Sequence, residues 1–371
     1  RTLYVPYMSV KQKGNSDNES ANASMSVRTG RECFRALSMP EAVTLASGVY
    51  RVRASVPSRS KATADMVQTD EAFWTIFSFH FLSGEAFTKA DCDAGLTRAV
   101  LDATTARRLF GTTDAVGHTV QLDYVDYTVA GVVADVSMLA TAAYAQIWVP
   151  YTAAGAEAMS WQNDTMGPMH AIILARSSAD FDAIREETEL LRKKYNDGLQ
   201  DVEVFYRGQP DTQLAYLYRR WYAEPDVPGV MLRYAIVVII LLLVPAVNLS
   251  GMTLSRMRRR MAEIGVRKAF GATGGELMRQ VFFENLVLTL LAGIVGLALS
   301  YVAAFALNGF LFSNSMNASL SGETALTPGM LLSPWAFIAA FAFCLLMNIL
   351  SAGIPAWRAS RMNITDAINQ R

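Results

Sequence analysis

The chain has 371 residues, with 33 Lys/Arg against 33 Asp/Glu, and 52% of it is hydrophobic. A neutral total gives no general attraction to nucleic acid, and three cysteines supply neither a disulfide framework nor metal-ligand spacing. The charge is unevenly spread: residues 1–230 hold 22 basic and 28 acidic residues, and residues 231–371 hold 11 and 5. The two parts are therefore built for different surroundings.

Residues 1–41, with the run KQKGNSDNESANASMS, read as a polar, irregular connection. From residue 42 the pattern is α+β, in two subdomains. VTLASGVYRVRASV (43–56) alternates like a strand, and TDEAFWTIFSF (69–79) reads as a short helix opened by Thr69 or Asp70. RAVLD (98–102) is strand-like, and ATTARRLFG (103–111) is a short helix stopped by Gly111. HTVQLDYVDYTVAGVVADV (118–136) predicts two strands around an Asp-Tyr turn, and AQIWVP (145–150) a strand ended by Pro150. MHAIILAR (169–176), a helix over 179–195 and VEVFYR (202–207) predict a β-α-β unit.

Chemistry is hard to find in this region. His80, His118 and His170 are isolated, without ligand spacing. GTTDAVG (111–117) is bounded by glycines but lacks the Lys-Ser/Thr of a phosphate loop, and reads as a turn. No nucleophile-base arrangement follows from spacing. Cys33 and Cys92 could pair in an oxidising compartment, a question the spacing leaves open.

Three runs decide the class of residues 231–371. The segments near 234–254, 285–307 and 335–354 are each about 20 residues without a charge, enough to cross roughly 30 Å of hydrocarbon. A helical transmembrane domain is predicted. Orientation follows the cations. The 255–284 connection carries Arg256, Arg258, Arg259, Arg260, Arg267, Lys268 and Arg279, whereas 308–334 has one charge, Glu323. The first connection and the C-terminus are placed in the cytoplasm, and the large acidic region outside. RTLYVPYMSV has neither a charged n-region nor an apolar h-region, so a fourth span is expected upstream of Arg1.

The cytoplasmic connection has a design of its own. Residues 256–270 suit a helix, with Glu263 four residues after Arg259 and four before Arg267. Gly271 follows the last apolar residue, where a left-handed cap is easiest for glycine. Thr273-Gly-Gly-Glu276 then matches a capping box opening a helix that runs into the next span. A cationic loop that only sets topology and binds anionic lipid is the simpler alternative. A capped, glycine-cornered elbow over 256–280 is more structure than that task needs, and suits passing displacement between a cytoplasmic partner and the membrane.

RRRMAEIGVRKAFGATGGELMRQVFFENLVLTLLAGIVGLALS resembles the FtsX/MacB-type permease family of ABC transporters, whose members carry an EIGxRKAxGA segment before a glycine-containing span. PAWRASRMNITDAINQR is similar to that family's C-terminal ending, with Ile364-Thr365 where the family has its proline neighbourhood. LFGTTDAVGHTVQLDYVDYTVAGVVAD resembles its periplasmic turn and following strands. The resemblance covers about 42–371.

It implies a MacB-like periplasmic domain over 42–230 and an FtsX-like permease domain over 231–371, in the bacterial inner membrane. It also implies a coupling elbow of Glu263, Ile264, Gly265, Arg267, Lys268, Gly271, Ala272, Thr273 and Glu276. The chain has no GxxxxGK(S/T), so the resemblance implies a non-catalytic subunit without a cofactor of its own, ATP being bound by a separate cytoplasmic ABC ATPase. A second permease chain, as homo- or heterodimer, membrane lipids and a periplasmic adaptor are the other implied partners. Export by mechanotransmission is the expected function. A regulator activating a cell-wall hydrolase, or a receptor without an ATPase, are the alternatives.

Overall fold

The strands of the first part find partners far away in sequence, and that decides its architecture. The computed structural model describes residues 1–17, 19–57, 60–220, 223–244, 266, 270–271, 273–307, 335 and 337–347. It divides into two compact units, the first comprising Arg1–Val227 and the second containing the long apolar helices.

The first unit has two lobes. In the first lobe β1 (Thr2–Val5) lies between β12 (Met169–Leu174) and β14 (Asp211–Thr212), and β4 (Ala42–Ser47) flanks β12, all antiparallel. A second sheet sets β2 (Met8–Gln12) between β3 (Ala21–Ala23) and β13 (Val202–Phe205). The first-lobe core contains Leu3, Val10, Phe34, Leu45, Ile173 and Tyr206. Two helices cover it. One is α1 (Val27–Gly30), capped by Ser26 and continued by a wide turn over Arg31–Arg35; the other is α5 (Phe181–Gly198).

Two expectations are corrected here. Residues 1–41 are not irregular: β1, β2, β3 and α1 lie within them, and β1 and β2 are interior strands. Their apolar residues fall in short clusters such as Leu3-Tyr4-Val5 and Tyr7-Met8 around Pro6, too short to show a period without the partners they pair with. The strands at 169–174 and 202–205 flank α5 but join different sheets, so they do not form a β-α-β unit.

The second lobe is a small closed barrel. Its strands run in the order β10 (Val125–Val133), β8 (Arg98–Asp102), β11 (Ile147–Pro150), β6 (Ser60–Thr69), β5 (Tyr50–Val56) and β9 (Thr119–Leu122). β9 pairs back on β10 to close the ring. β7 (Phe81–Gly84) adds to β10 outside it. The predicted strand over 43–56 is thus two strands, broken at Gly48-Val49 and sent to different lobes. The β9–β10 hairpin turns on Asp123 and Tyr124, both at positive φ (43° and 74°), as a two-residue turn of matching twist requires.

Period two sorts the barrel walls. Leu101, Ile147, Val149 and Met66 point inward, and Val100, Trp148 and Val67 join a separate cluster outside. The register slips between Val129 and Gly131 of β10, a bulge that lets one strand serve β9 along its first half and β8 along its second. Gly84, at φ +64°, packs against that bulge so closely that a Cβ would meet the Ala130 carbonyl oxygen at 2.2 Å.

Three short helices decorate the barrel. α2 (Phe73–Ile76) and α3 (Lys89–Asp93) border the outer cluster, where Trp74, Phe79 and Trp148 stack edge to face with centroids 4.9–6.0 Å apart. α4 (Ala103–Phe110) packs Ala106, Leu109 and Phe110 into the barrel core, and is stopped by Gly111 at φ +79°. The unit ends in α6 (Gln213–Tyr218), capped by Thr212.

In the second unit α7 (Val227–Val244) and α8 (Gly274–Ala306) are long and apolar enough to cross a membrane. α9 (Phe337–Met347) is a shorter apolar helix within the predicted third span, the rest of which, Trp335 aside, lies outside the described residues. Leu241, Ile294 and Val302 expose about two-thirds of their surface, which suits a lipid environment better than water. A Cβ on Gly293 of α8 would come within 3.2 Å of the Phe341 ring of α9, so the two helices approach closely there.

Candidate functional site

The predicted corner takes shape at the start of α8. Phe270 N–H donates to the Val266 carbonyl at 3.2 Å, a bond of helical spacing just before the corner. Gly271 follows at φ +93°, a conformation open to glycine and costly for other residues. Thr273 and Glu276 then cap each other. The Thr273 amide and hydroxyl donate to Glu276 Oε2 at 2.9 and 3.0 Å, and the Glu276 amide donates to Thr273 Oγ1 at 3.3 Å. These bonds hold the Glu276 carboxyl below the usual carboxylate range.

α8 runs from this cap for 33 residues, about 50 Å at 1.5 Å per residue. Its most apolar window begins at Leu286, and the three turns before it carry the charged residues Glu276, Arg279 and Glu284. The structure thus brings together Gly271, Thr273 and Glu276 of the expected elbow. Glu263, Ile264, Gly265, Arg267, Lys268 and Ala272 lie outside the described residues. Phe270, 89% exposed, was not among the expected site residues. The signal was present as a large aromatic directly before the corner glycine in a cationic stretch.

The lobes of the first unit are joined by a buried carboxylate. Asp70, at the end of β6, accepts from the Thr44 hydroxyl (2.7 Å) and the Leu45 amide (3.1 Å) of β4, and from Arg35 Nη1 (3.2 Å). Arg35 also donates to Glu71 at 2.8 Å. Burial nevertheless pushes the Asp70 carboxyl up to about 6. A second anchor is Arg219, which is buried against Asp211 and donates to the carbonyls of Arg207 (3.1 Å) and Ala223 (3.0 Å). It ties the end of α6 to Ala223 and to the turn at Arg207.

Asp102, the N-cap of α4, makes a clean pH test. Its carboxylate accepts the Thr105 amide at 2.7 Å, yet burial raises it from 3.8 to about 6. A raised folded pKa gives stability that is complete below the unfolded value and lost as pH rises through 6, a swing of about 3 kcal/mol at most. Asp70 acts with the same sign. His170, pushed down to about 4 by burial, acts with the opposite one. Asn caps helices as well as Asp, so Asp102→Asn is expected to exceed wild type in thermal stability at pH 7 and to lose that advantage near pH 4. An advantage that is the same at both pH values would show that the carboxyl is not desolvated.

Cys33 and Cys92 are free thiols in separate cores, so they are not paired. Burial pushes them up to about 11 and 12, which leaves both as unreactive thiols at neutral pH. Among the described residues no cluster of three His, Cys, Asp or Glu side chains could hold a metal ion.

Two family models match. One, described as the MacB-like periplasmic core domain, covers residues 6–191; the other, the FtsX-like permease C-terminal, covers 235–364. "Macrolide export ATP-binding/permease protein MacB" of Escherichia coli (strain K12) is 26% identical over 314 residues, which are 83% of this chain and 43% of that protein. The protein of that name from Chromobacterium violaceum is 25% identical over 307 residues, 82% of this chain and 43% of its own length. The chain spans less than half the length of the curated relatives it matches. Among solved structures, the periplasmic region of MacB from Actinobacillus actinomycetemcomitans superposes with a TM-score of 0.39 at 17% identity, over 55% of this chain and 90% of that one. The extracellular domain of the noncanonic ABC-type transporter YknZ gives 0.38 at 16% identity, over 54% and 99%.

Proposed function

The chain belongs to the permease family that joins a MacB-like periplasmic core domain to an FtsX-like permease C-terminal domain, and from that premise we propose that it couples an ATPase to its own extracytoplasmic domain by moving a rigid helix. The carrying observation is α8. It starts at a left-handed glycine and a capping box outside the apolar window, and it continues without a break through that window. ATP-driven closure of a cytoplasmic ABC ATPase would press on the corner. The shaft would carry the displacement through the inner membrane to the two-lobed domain on the far side, and the work done there would expel a substrate.

In this reading the first unit is extracytoplasmic, the C-terminus cytoplasmic, and residues 231–371 hold three spans. The permease works as a homo- or heterodimer, with membrane lipids around it and a periplasmic adaptor above it. The chain itself holds no cofactor and leaves hydrolysis to the ATPase, whereas the curated relatives carry names that combine ATP-binding and permease in one protein. Macrolide export is the printed activity of those relatives, and an exported substrate is the class carried over here.

Cross-linking in native membranes followed by affinity purification tests the proposal. An ABC ATPase and a second permease copy are the expected products, with cross-links falling on the 256–280 connection. Recovery of a peptidoglycan hydrolase as the functional output would favour the regulator instead. Purification without any ATP-hydrolysing ABC domain would leave the corner undriven and overturn the coupling.

A further inference from the structure

The two lobes of the first unit meet along a seam that their side chains do not fill. A cavity of about 400 Å3 lies there, within the range of small-molecule sites. Tyr7, His170 and Tyr216 line it from the first lobe, and Val67, Met138 and Tyr144 from the barrel lobe.

The lining restricts what it can hold. No Asp, Glu, Lys or Arg faces the cavity, so a charged ligand would lose its hydration without gaining a counter-ion. The walls are flat and fixed. Tyr216 stacks on Tyr4 with centroids 4.5 Å apart and planes 16° from parallel, and the Tyr144 hydroxyl is committed to Asp65 at 2.7 Å. Beside hydroxyls such as that of Thr141, the lining presents one imidazole, that of His170, near the start of β12. Its imidazole is half-buried at the cavity wall and has no hydrogen-bond partner among the described residues, so it is free to meet a ligand. Desolvation keeps it neutral at pH 7, so it offers one donor and one acceptor.

We propose that the seam cavity is a binding site for a small uncharged ligand with a flat ring and one or two hydrogen-bonding groups, held by His170 between the tyrosine rings. The ligand touches both lobes, so its occupancy favours the seam as it stands over any arrangement in which the lobes separate. The site lies far along the chain from the coupling corner and needs no assumption about transport.

The full chain in lipid nanodiscs, with imidazole nitrogens labelled for NMR, tests this with indole as the neutral probe and indole-3-carboxylate as the charged one. The His170 signal is assigned by its loss in His170→Gln. Indole is expected to shift that signal saturably, and the carboxylate to bind at least about tenfold more weakly. Ala142→Phe, which fills the cavity from its wall, is expected to weaken indole by about tenfold or more with the His80 and His118 signals unchanged. Should that variant fold poorly, His170→Phe keeps a ring in the strand and removes only the hydrogen bond. Saturation transfer from protein to indole should then fall by about tenfold. A His170 signal unmoved by indole, a shift that survives Ala142→Phe, or equal binding of the charged probe each overturns the site.

Discussion

Replacing Gly271 by Val is expected to abolish stimulation of the ATPase while expression and membrane insertion stay at wild-type levels. The corner holds Gly271 at φ +93°, which costs a β-branched residue about 1–3 kcal/mol. Among the described residues, its chain neighbours aside, no heavy atom lies within 4 Å of the position its Cβ would take. The penalty therefore comes from the backbone rather than from crowding, and Gly271→Ala should be nearly as harmful. A steric origin would rank Val far above Ala. The chain escapes the strain by leaving the left-handed conformation, which swings Phe270 and the shaft of α8 out of line. Exchanging Arg258, Arg259 and Arg260 for Gln removes about 1 kcal/mol of attraction to an anionic surface per cation and leaves the corner alone. That triple change should spare stimulation if the corner acts mechanically, and should be the worse lesion if the segment only anchors to lipid. Hydrolysis in proteoliposomes gives the readout, with surface labelling to confirm topology. A correctly inserted Gly271→Val that stimulates normally would end the coupling argument.

The second large effect is expected at Arg219. Its side chain is 1% exposed and that of Asp211 4%. Arg219→Met strands a carboxylate in the interior, at a cost of about 3–5 kcal/mol. That is a large part of the 5–15 kcal/mol available to an ordinary domain. Adding Asp211→Leu removes the stranded charge and should restore most of the lost melting temperature, because apolar pairs replace buried ion pairs at little cost. Coupling should not return with it. Arg219 also donates to the carbonyls of Arg207 and Ala223, and the double variant leaves the exit toward α7 unfastened. Melting followed by intrinsic fluorescence, set beside ATPase stimulation, separates the two roles. Recovery of both in the double variant would reduce Arg219 to a stabilising residue.

What the sequence disclosed was whatever is decided within a few residues. The Gly271 turn, the Thr273–Glu276 cap, the Gly111 stop and the Asp123-Tyr124 hairpin each depend on a local conformational preference, and each is found where the pattern placed it. Strands with polar exteriors were less visible. The run SKATADMVQT forms β6, the longest strand of the barrel, although its alternation is carried only by Ala62, Ala64 and Met66 against Lys61, Thr63 and Asp65. Pairing across long stretches was invisible. Nothing local tells that Leu3 faces Ile173 on one side and Thr212 on the other. The seam cavity shares that origin, because its walls come from segments around residues 7, 47, 67, 142, 170 and 216. The coupling corner was readable for the opposite reason, being a single stretch of chain.

The same long-range pairing imposes an order of events on a chain made from its N-terminus. The barrel ring uses strands between Tyr50 and Pro150 and is complete in sequence once residue 150 has emerged. The four-stranded sheet of the first lobe needs β1, made before either partner, to wait for β12 and for β14 at Asp211–Thr212. Contacts of such sequence separation form slowly, because a long loop must close before any of them contributes. Throughout that interval Leu3 and Val5, both fully buried in the finished domain, have no partner strand to cover them. A barrel already closed has few free edges to recruit them. The nesting of one lobe inside the other thus keeps the early strands unpaired, and available, until their late partners arrive.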